Sequence, residues 1–223
     1  MTERIRGILE QLEQVRDDLL ALSDDIWKSI DHNDSQALDE GVAFKKAYNA
    51  KLAAFDLMVG ELSALVQQYT AISLIEPAPS APQLRRPREG VVRDLDQRQP
   101  HDINEDLTYK RPYGFRLGDE VQSKVTTWRR LYELICLHLA SIDPVRFARL
   151  PEAPVFTTRR GNPYFSRDPS ALRSAMALPD GVYAEVNLSA NHLRDQIKEL
   201  LKFYSIDPVS LQIYLRQDRD ADI

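Results

Sequence analysis

One cysteine, Cys136, stands in 223 residues, so no disulfide can close within the chain. That thiol lies in an apolar helical pattern with Leu134, Ile135, Leu137 and Leu139, which predicts a buried structural role and a reducing, cytoplasmic setting. Long apolar runs are also missing. Nothing approaches the roughly 18 consecutive apolar residues that cross a bilayer, so no membrane partner is expected. The opening MTERIRGILEQLEQ carries acids early and has no apolar stretch of the secretory kind. Glycine-rich phosphate loops, the G-x-S-x-G elbow and the dinucleotide fingerprint are absent. The four histidines, His32, His101, His138 and His192, fall on separate segments without metal-ligand spacing. A PD…E-x-K nuclease pattern is approached by Pro179, Asp180 and Glu185, but the lysine is missing and the gap is too short. No catalytic residue, no metal and no cofactor are expected, and the chain reads as non-enzymatic, with a nuclease subunit as a third reading.

What is present is ordinary in bulk and uneven in distribution. The chain is 43% apolar and 28% charged with a net charge of −5, the balance of one or two soluble globular domains. Residues 1–75 hold 7 Lys and Arg against 13 Asp and Glu. Residues 114–216 hold 14 against 11. An acidic arm and a mildly basic module suit a chain with one interaction element and one binding element.

In residues 1–75, Ile5, Ile8, Leu12, Val15, Leu19, Leu22 and Ile26 alternate in steps of 3 and 4, a heptad seam. The cluster Ser29 to Ser35 breaks it, with Asn33 and Gln36 spaced as a capping box. Tyr48, Leu52, Phe55, Val59, Leu62, Val66 and Tyr69 form a second seam. The pair predicts an antiparallel helical hairpin, a short coiled coil. Its apolar stripe is wider than two helices need, so the arm is expected to self-associate or to bind a protein partner. Trp27 is either a contact anchor or packed within the hairpin.

Residues 76–112 contain Pro77, Pro79, Pro82, Pro87, Pro100 and Pro112 and no long apolar period. They predict an extended tether, whose Arg85, Arg86, Arg88 and Arg93 are either solvated charges or phosphate contacts. Residues 113–216 predict an α+β domain with a small sheet. Tyr113 to Leu117 reads as a strand and Thr127 as the cap of a long helix. A β-hairpin is expected around the turn Arg159-Arg160-Gly161-Asn162, and a helix of one to two turns after Asp168. Val182 to Val186 reads as a strand, Ser189 to Tyr204 as a helix and Leu211 to Leu215 as a closing strand. Residues 217–223 read as an acidic tail.

Within the C-terminal domain, Asp143-Pro144-Val145-Arg146-Phe147, Arg159-Arg160-Gly161-Asn162-Pro163-Tyr164-Phe165, Leu178-Pro179-Asp180 and Tyr183 to Asn191 follow one another. In this order they resemble the DNA-binding domain of the bacterial replication-sequestration (SeqA) family. The resemblance spans Trp128 to about Ile206. It implies the fold of that domain and binding to duplex DNA, with the basic hairpin loop and the Asn-rich loop gripping hemimethylated GATC in the major groove. Leu188 and Ala190 stand where that family has polar residues, so the resemblance implies reading of duplex DNA or of its methylation state and leaves the choice between them open.

The residues make the same suggestion by their chemistry. Arg159 and Arg160 can pair with phosphate or a guanine edge, or can be solvated turn residues. Asn162, Asn187 and Asn191 can read adenine, or can cap and shape loops. Ser189 can cap the last helix beside an anion site, with Arg194 one turn on. DNA is the expected ligand of Arg159, Arg160, Asn162, Asn187, Ser189, Asn191 and Arg194. The alternative is a protein-interaction adaptor whose arm docks on a larger complex.

Overall fold

The computed structural model describes residues 2–70 and 89–217. It divides into two compact units, Met1–Ala81 and Pro82–Ile223. The architecture is α+β: a helical hairpin, then antiparallel sheets with helices.

The hairpin consists of α1 (Thr2–Ser29) and α2 (Ser35–Thr70). Asp34 starts the second helix. Its Oδ1 accepts from the N–H groups of Gln36 at 2.9 Å and Ala37 at 3.3 Å. The cap is thus one residue later than the Asn33–Gln36 spacing predicts, because a carboxylate accepts helix N–H bonds better than an amide already held in a turn. Polar bonds fix the register between the helices. Arg16 Nε meets Asp56 at 2.7 Å. Tyr48 Oη donates to the Leu19 carbonyl at 2.9 Å. Lys45 Nζ donates to Ser23 Oγ at 2.7 Å and pairs with Asp24 at 3.1 Å. Trp27 is half-buried with its ring 5.4 Å from that of His32. The heptad seam of α1 divides. Ile5, Leu12, Leu19 and Ile26 are half-buried, whereas Ile8, Val15 and Leu22 are exposed.

The second unit begins earlier than its composition suggests. Residues 89–112 are folded, correcting the expectation of an extended tether there; residues 71–88, with Arg85, Arg86 and Arg88, lie outside the described residues, as does most of the C-terminal tail. Helix α3 (Glu89–Asp96) buries Leu95 completely. The Arg98 guanidinium lies 3.2 Å from the centre of the Tyr113 ring, and Tyr113 Oη donates to Asp94 at 2.6 Å. Ile103 and Leu107 are also fully buried. Three apolar side chains without a helical or strand period thus anchor a proline-bearing stretch.

Two antiparallel sheets follow. The first runs β1 (Pro100–Asp102), β7 (Leu211–Leu215), β2 (Pro112–Leu117), β3 (Glu120–Ser123) in spatial order. The two-residue turn Gly118-Asp119 joins β2 to β3, with Gly118 at φ +58°, a conformation glycine adopts without strain. The second sheet runs β4 (Phe165–Ser166), β6 (Tyr183–Glu185), β5 (Ala175–Ala177). Helices α4 (Trp128–Ile142) and α6 (Ala190–Phe203) pack together, and the short α5 (Pro144–Phe147) follows α4. Thr127 Oγ1 caps α4 by accepting from Arg130 N–H at 3.1 Å. Trp128, Tyr132, Ile135, Cys136 and Leu139 join Phe115, Phe147, Phe156, Phe165, Leu193 and Ile197 in one core. Burial pushes the Cys136 thiol well above its ordinary range, as suits an inert core residue. No described helix is long and apolar enough to cross a membrane.

Two sequence expectations contract in this unit. The hairpin around Arg159 and Arg160 keeps a single bridge, Thr157 to Pro163, since residues 154–156 form a 3-10 turn and Phe165 and Ser166 pair with β6 instead. The helix expected after Asp168 is one 3-10 turn, Pro169–Ala171.

Candidate nucleic-acid interface

Three chain segments meet at one end of the sheet β4–β6–β5. The register there is fixed by Phe165 opposite Ala184 and by the Glu185 N–H on the Tyr164 carbonyl at 2.8 Å. The pairing stops there, because the Asn162 N–H turns to Thr158 Oγ1 and the Asn187 N–H to the Glu185 carboxylate. On the other edge Ala175 lies opposite Glu185, and the Val186 N–H donates to the Ser174 carbonyl at 3.0 Å. One step further places Arg173 beside Asn187.

Glu185 ties this end together. It is buried, and its carboxylate accepts from the N–H groups of Arg173 at 2.7 Å, Ser174 at 3.2 Å and Asn187 at 2.7 Å. The Arg173 guanidinium lies 3.6 Å away. A buried carboxylate is tolerable only when its lone pairs are satisfied, and here the satisfying donors are the backbone of two loops. Glu185 therefore serves as a bracket, which accounts for the residue that the PD…E-x-K comparison singled out. Asp180 is exposed in its own turn at φ +58°. Among the described residues no group of three or more His, Cys, Asp or Glu could hold a metal ion.

The turn that projects from this frame is internally braced. Thr158 N–H donates to the Asn162 carbonyl at 2.8 Å, Asn162 N–H to Thr158 Oγ1 at 3.0 Å, and Gly161 N–H to the Thr158 carbonyl at 2.9 Å. Gly161 sits at φ +82°, where a side chain would be strained. Arg159 and Arg160 are exposed at the tip and make no ion pair or hydrogen bond with the described residues. Asn162 is exposed beside them.

The other expected contacts separate into two groups. Asn187 is half-buried, and its Oδ1 is shielded from solvent without a hydrogen-bond partner. Ser189 stands at the N-cap position of α6 but its hydroxyl caps no helix N–H. It meets His192 Nδ1 at 2.9 Å instead, which corrects the expected capping role. Asn191 is saturated. Its Oδ1 accepts from Leu107 N–H at 2.9 Å and from Arg194 Nη1 at 3.1 Å, and its Nδ2 donates to Asp106 at 2.7 Å and Thr108 at 2.7 Å. Arg194 donates to the Glu105 carbonyl at 2.7 Å and pairs with Asp195 at 2.8 Å. Lys198 adds a bond to Asn104 at 2.6 Å. Asn191 and Arg194 thus staple α6 to the loop at residues 104–108, and their polar atoms are committed within the fold.

That loop has its own electrostatic anchor. His101 Nδ1 lies 2.9 Å from Glu105 Oε2, and the Asp102 N–H donates to Oε1 at 3.0 Å. The His101 hydrogen bond first, and the Asp102 N–H second, hold the Glu105 carboxyl down to about 2.

The candidate surface has two parts, Arg159, Arg160 and Asn162 on the braced turn and Arg173 with Asn187 at the Glu185 bracket, with Ser189 and His192 paired just after Asn187 in the chain. Arg173 is the member that sequence reasoning misses. It lies between a 3-10 turn and a short strand with no periodic signal, and only the Glu185 bracket brings it into place. No family model, no curated protein and no solved structure matches the chain.

Proposed function

We propose that the protein binds duplex DNA through this patch and performs no catalysis, with the hairpin serving to dimerise it or to recruit a partner. The observation that carries the reading is the pair Arg159 and Arg160. Two guanidinium groups without internal partners project on a braced turn next to Asn162. Unpaired arginines on a rigid loop suit phosphate or guanine recognition, because no internal bond is broken and little backbone freedom is lost on contact. The Asn187 carbonyl oxygen is withdrawn from solvent, so base contacts fall first to Asn162, whose exposed amide can pair with an adenine edge. Arg173 adds an exposed cation at the Glu185 bracket. The resemblance to a DNA-binding family points the same way. A cytoplasmic setting accords with the buried, unpaired thiol.

The test is fluorescence anisotropy of the full chain against short duplexes, unmethylated, hemimethylated and fully methylated, across a range of salt. The reading expects salt-dependent binding, and Arg159→Ala with Arg160→Ala should reduce the slope of log K against log salt by about two. The adaptor alternative is favoured by the exposed apolar residues of the hairpin. It expects a partner that stays bound after nuclease treatment of an extract and no binding to duplex DNA at low salt.

A further inference from the structure

The hairpin carries an open apolar face of defined geometry. With about 100° of turn per residue, the α1 residues that meet α2 are Arg16, Leu19 and Ser23, whereas Ile8, Val15 and Leu22 lie roughly 60–100° to one side of Ser23. On α2 the residues facing α1 include Lys45, Tyr48, Leu52 and Val59. Phe44, Met58, Leu62, Leu65 and Tyr69 lie roughly 60–120° from Val59 in the same rotational sense. Because the helices are antiparallel, equal offsets put both stripes on the same side of the hairpin. All eight of these side chains are exposed, from 39% at Phe44 to 90% at Tyr69.

The direction of the seams says what covers this side. A helix in a two-stranded pair aims its seam at its one neighbour. A helix in a four-helix bundle aims it at the bundle centre, about halfway between two neighbours. Here half of each seam points into the hairpin and half into the open face. The layers also match. The bonds Leu19–Tyr48 and Lys45–Ser23 bring Ile8 within a turn of Met58 and Leu62, Val15 within a turn of Phe55 and Leu22 within a turn of Phe44. A second hairpin laid on this face would complete each layer with two more apolar side chains.

From this we infer that the occupant is a second copy of the chain, forming a four-helix bundle about a two-fold axis parallel to the helices. This goes beyond the DNA-binding reading and stands independently of it. Two observations select a second copy. The face is about 40 Å long and two helices, or about 20 Å, wide. That gives about 800 Å² per partner, the area of a standard specific interface. Besides Arg4 and Glu40 toward the helix starts, the face holds one charge pair that is self-complementary. In the row Phe44, Lys51, Met58, Leu65 of α2, Lys51 is the one cation, exposed and without an ion pair among the described residues. Asp18 of α1 lies at the same level on the outer edge of the face. The two-fold axis stacks α1 of one copy on α2 of the other, so Lys51 of each meets the partner's Asp18, one pair on each edge of the interface at the same level. A single charged position in an apolar row is a common device for fixing register and partner.

Sedimentation equilibrium of the full chain tests this directly. The expected result is a dimer. Leu62→Lys should weaken it by about 30-fold or more with unchanged helicity by circular dichroism, since that side chain is already 44% exposed. Asp18→Lys and Lys51→Asp should each weaken the dimer by about 2- to 5-fold, and the two together should restore it to within about 2-fold. A chain that stays monomeric at ~100 μM, or a dimer indifferent to Leu62→Lys, overturns the proposal. Additive loss in the Asp18→Lys, Lys51→Asp double variant overturns the pairing. None of these readouts uses DNA, so they fail separately from the DNA-binding reading.

Discussion

The hairpin and the C-terminal unit place their apolar residues differently. In the C-terminal unit, Trp128, Tyr132, Phe115, Phe147, Phe156 and Phe165 are almost wholly withdrawn from solvent, and two sheets and two long helices share one core. In the hairpin, Leu65 is 62% exposed, and much of the interhelical register is held by polar bonds. A unit that closes its own core can present rigid loops. A unit with an open apolar face derives part of its stability from what covers it. The first arrangement suits ligand reading and the second suits assembly.

The largest expected effect sharpens that contrast. Trp128→Ala removes a buried ring and its bond to the Lys110 carbonyl and should destabilise the C-terminal unit by about 3–5 kcal/mol. A matched truncation on the open face, Leu65→Ala, should shift hairpin unfolding by well under half as much in dilute protein. Urea unfolding of the full chain checks both. Equal losses at the two sites would break the comparison.

Next in size is the bracket. Glu185→Ala leaves three backbone N–H groups without their acceptor, at a loss of about 2–4 kcal/mol. Hydrogen exchange should quicken at Arg173, Ser174 and Asn187, and DNA affinity should fall although Glu185 itself carries the wrong charge for a contact. An increase in affinity on removing this carboxylate would mean that it acts as a repelling charge and not as a bracket.

The smallest expected effect is on acid stability. The Glu105 carboxyl is lowered from 4.5 to about 2 by the His101 hydrogen bond and the Asp102 N–H. The folded state therefore binds fewer protons there than the unfolded state. The stabilisation is fully present above about pH 4.5 and is lost as pH falls toward about 2. Glu105 is 38% exposed, and solvent screening keeps the effect small. Thermal unfolding should show wild type more stable than Glu105→Gln at pH 6, with the gap narrowing steadily below pH 4.5. A constant gap would contradict the assignment.

The parts of the fold legible in the sequence are those set by neighbours in the chain. The heptad steps gave two helices, Thr127 marked the start of α4, and the alternation from Leu211 to Leu215 marked a strand that lies inside its sheet between β1 and β2. Residues 89–112 were not legible, because Leu95, Ile103 and Leu107 reach the core without any period and prolines interrupt them. Within the candidate site, Arg159, Arg160 and Asn162 could be picked out because a turn exposes whatever it contains. Asn191 and Arg194 look the same in sequence as free loop and helix-start residues. Their partners lie 83 to 89 residues earlier, in the stretch that reads as a tether. Arg173 belongs to the patch only through Glu185, a contact that no local pattern announces.

The most direct measurement is the salt dependence of duplex binding by the full chain, compared with the Arg159→Ala, Arg160→Ala variant and with Asn191→Gln. Salt-sensitive binding is expected, with a slope lower by about two in the double-arginine variant and unchanged in Asn191→Gln. Absence of binding at low salt, or equal slopes in wild type and the double-arginine variant, would contradict the DNA-binding account.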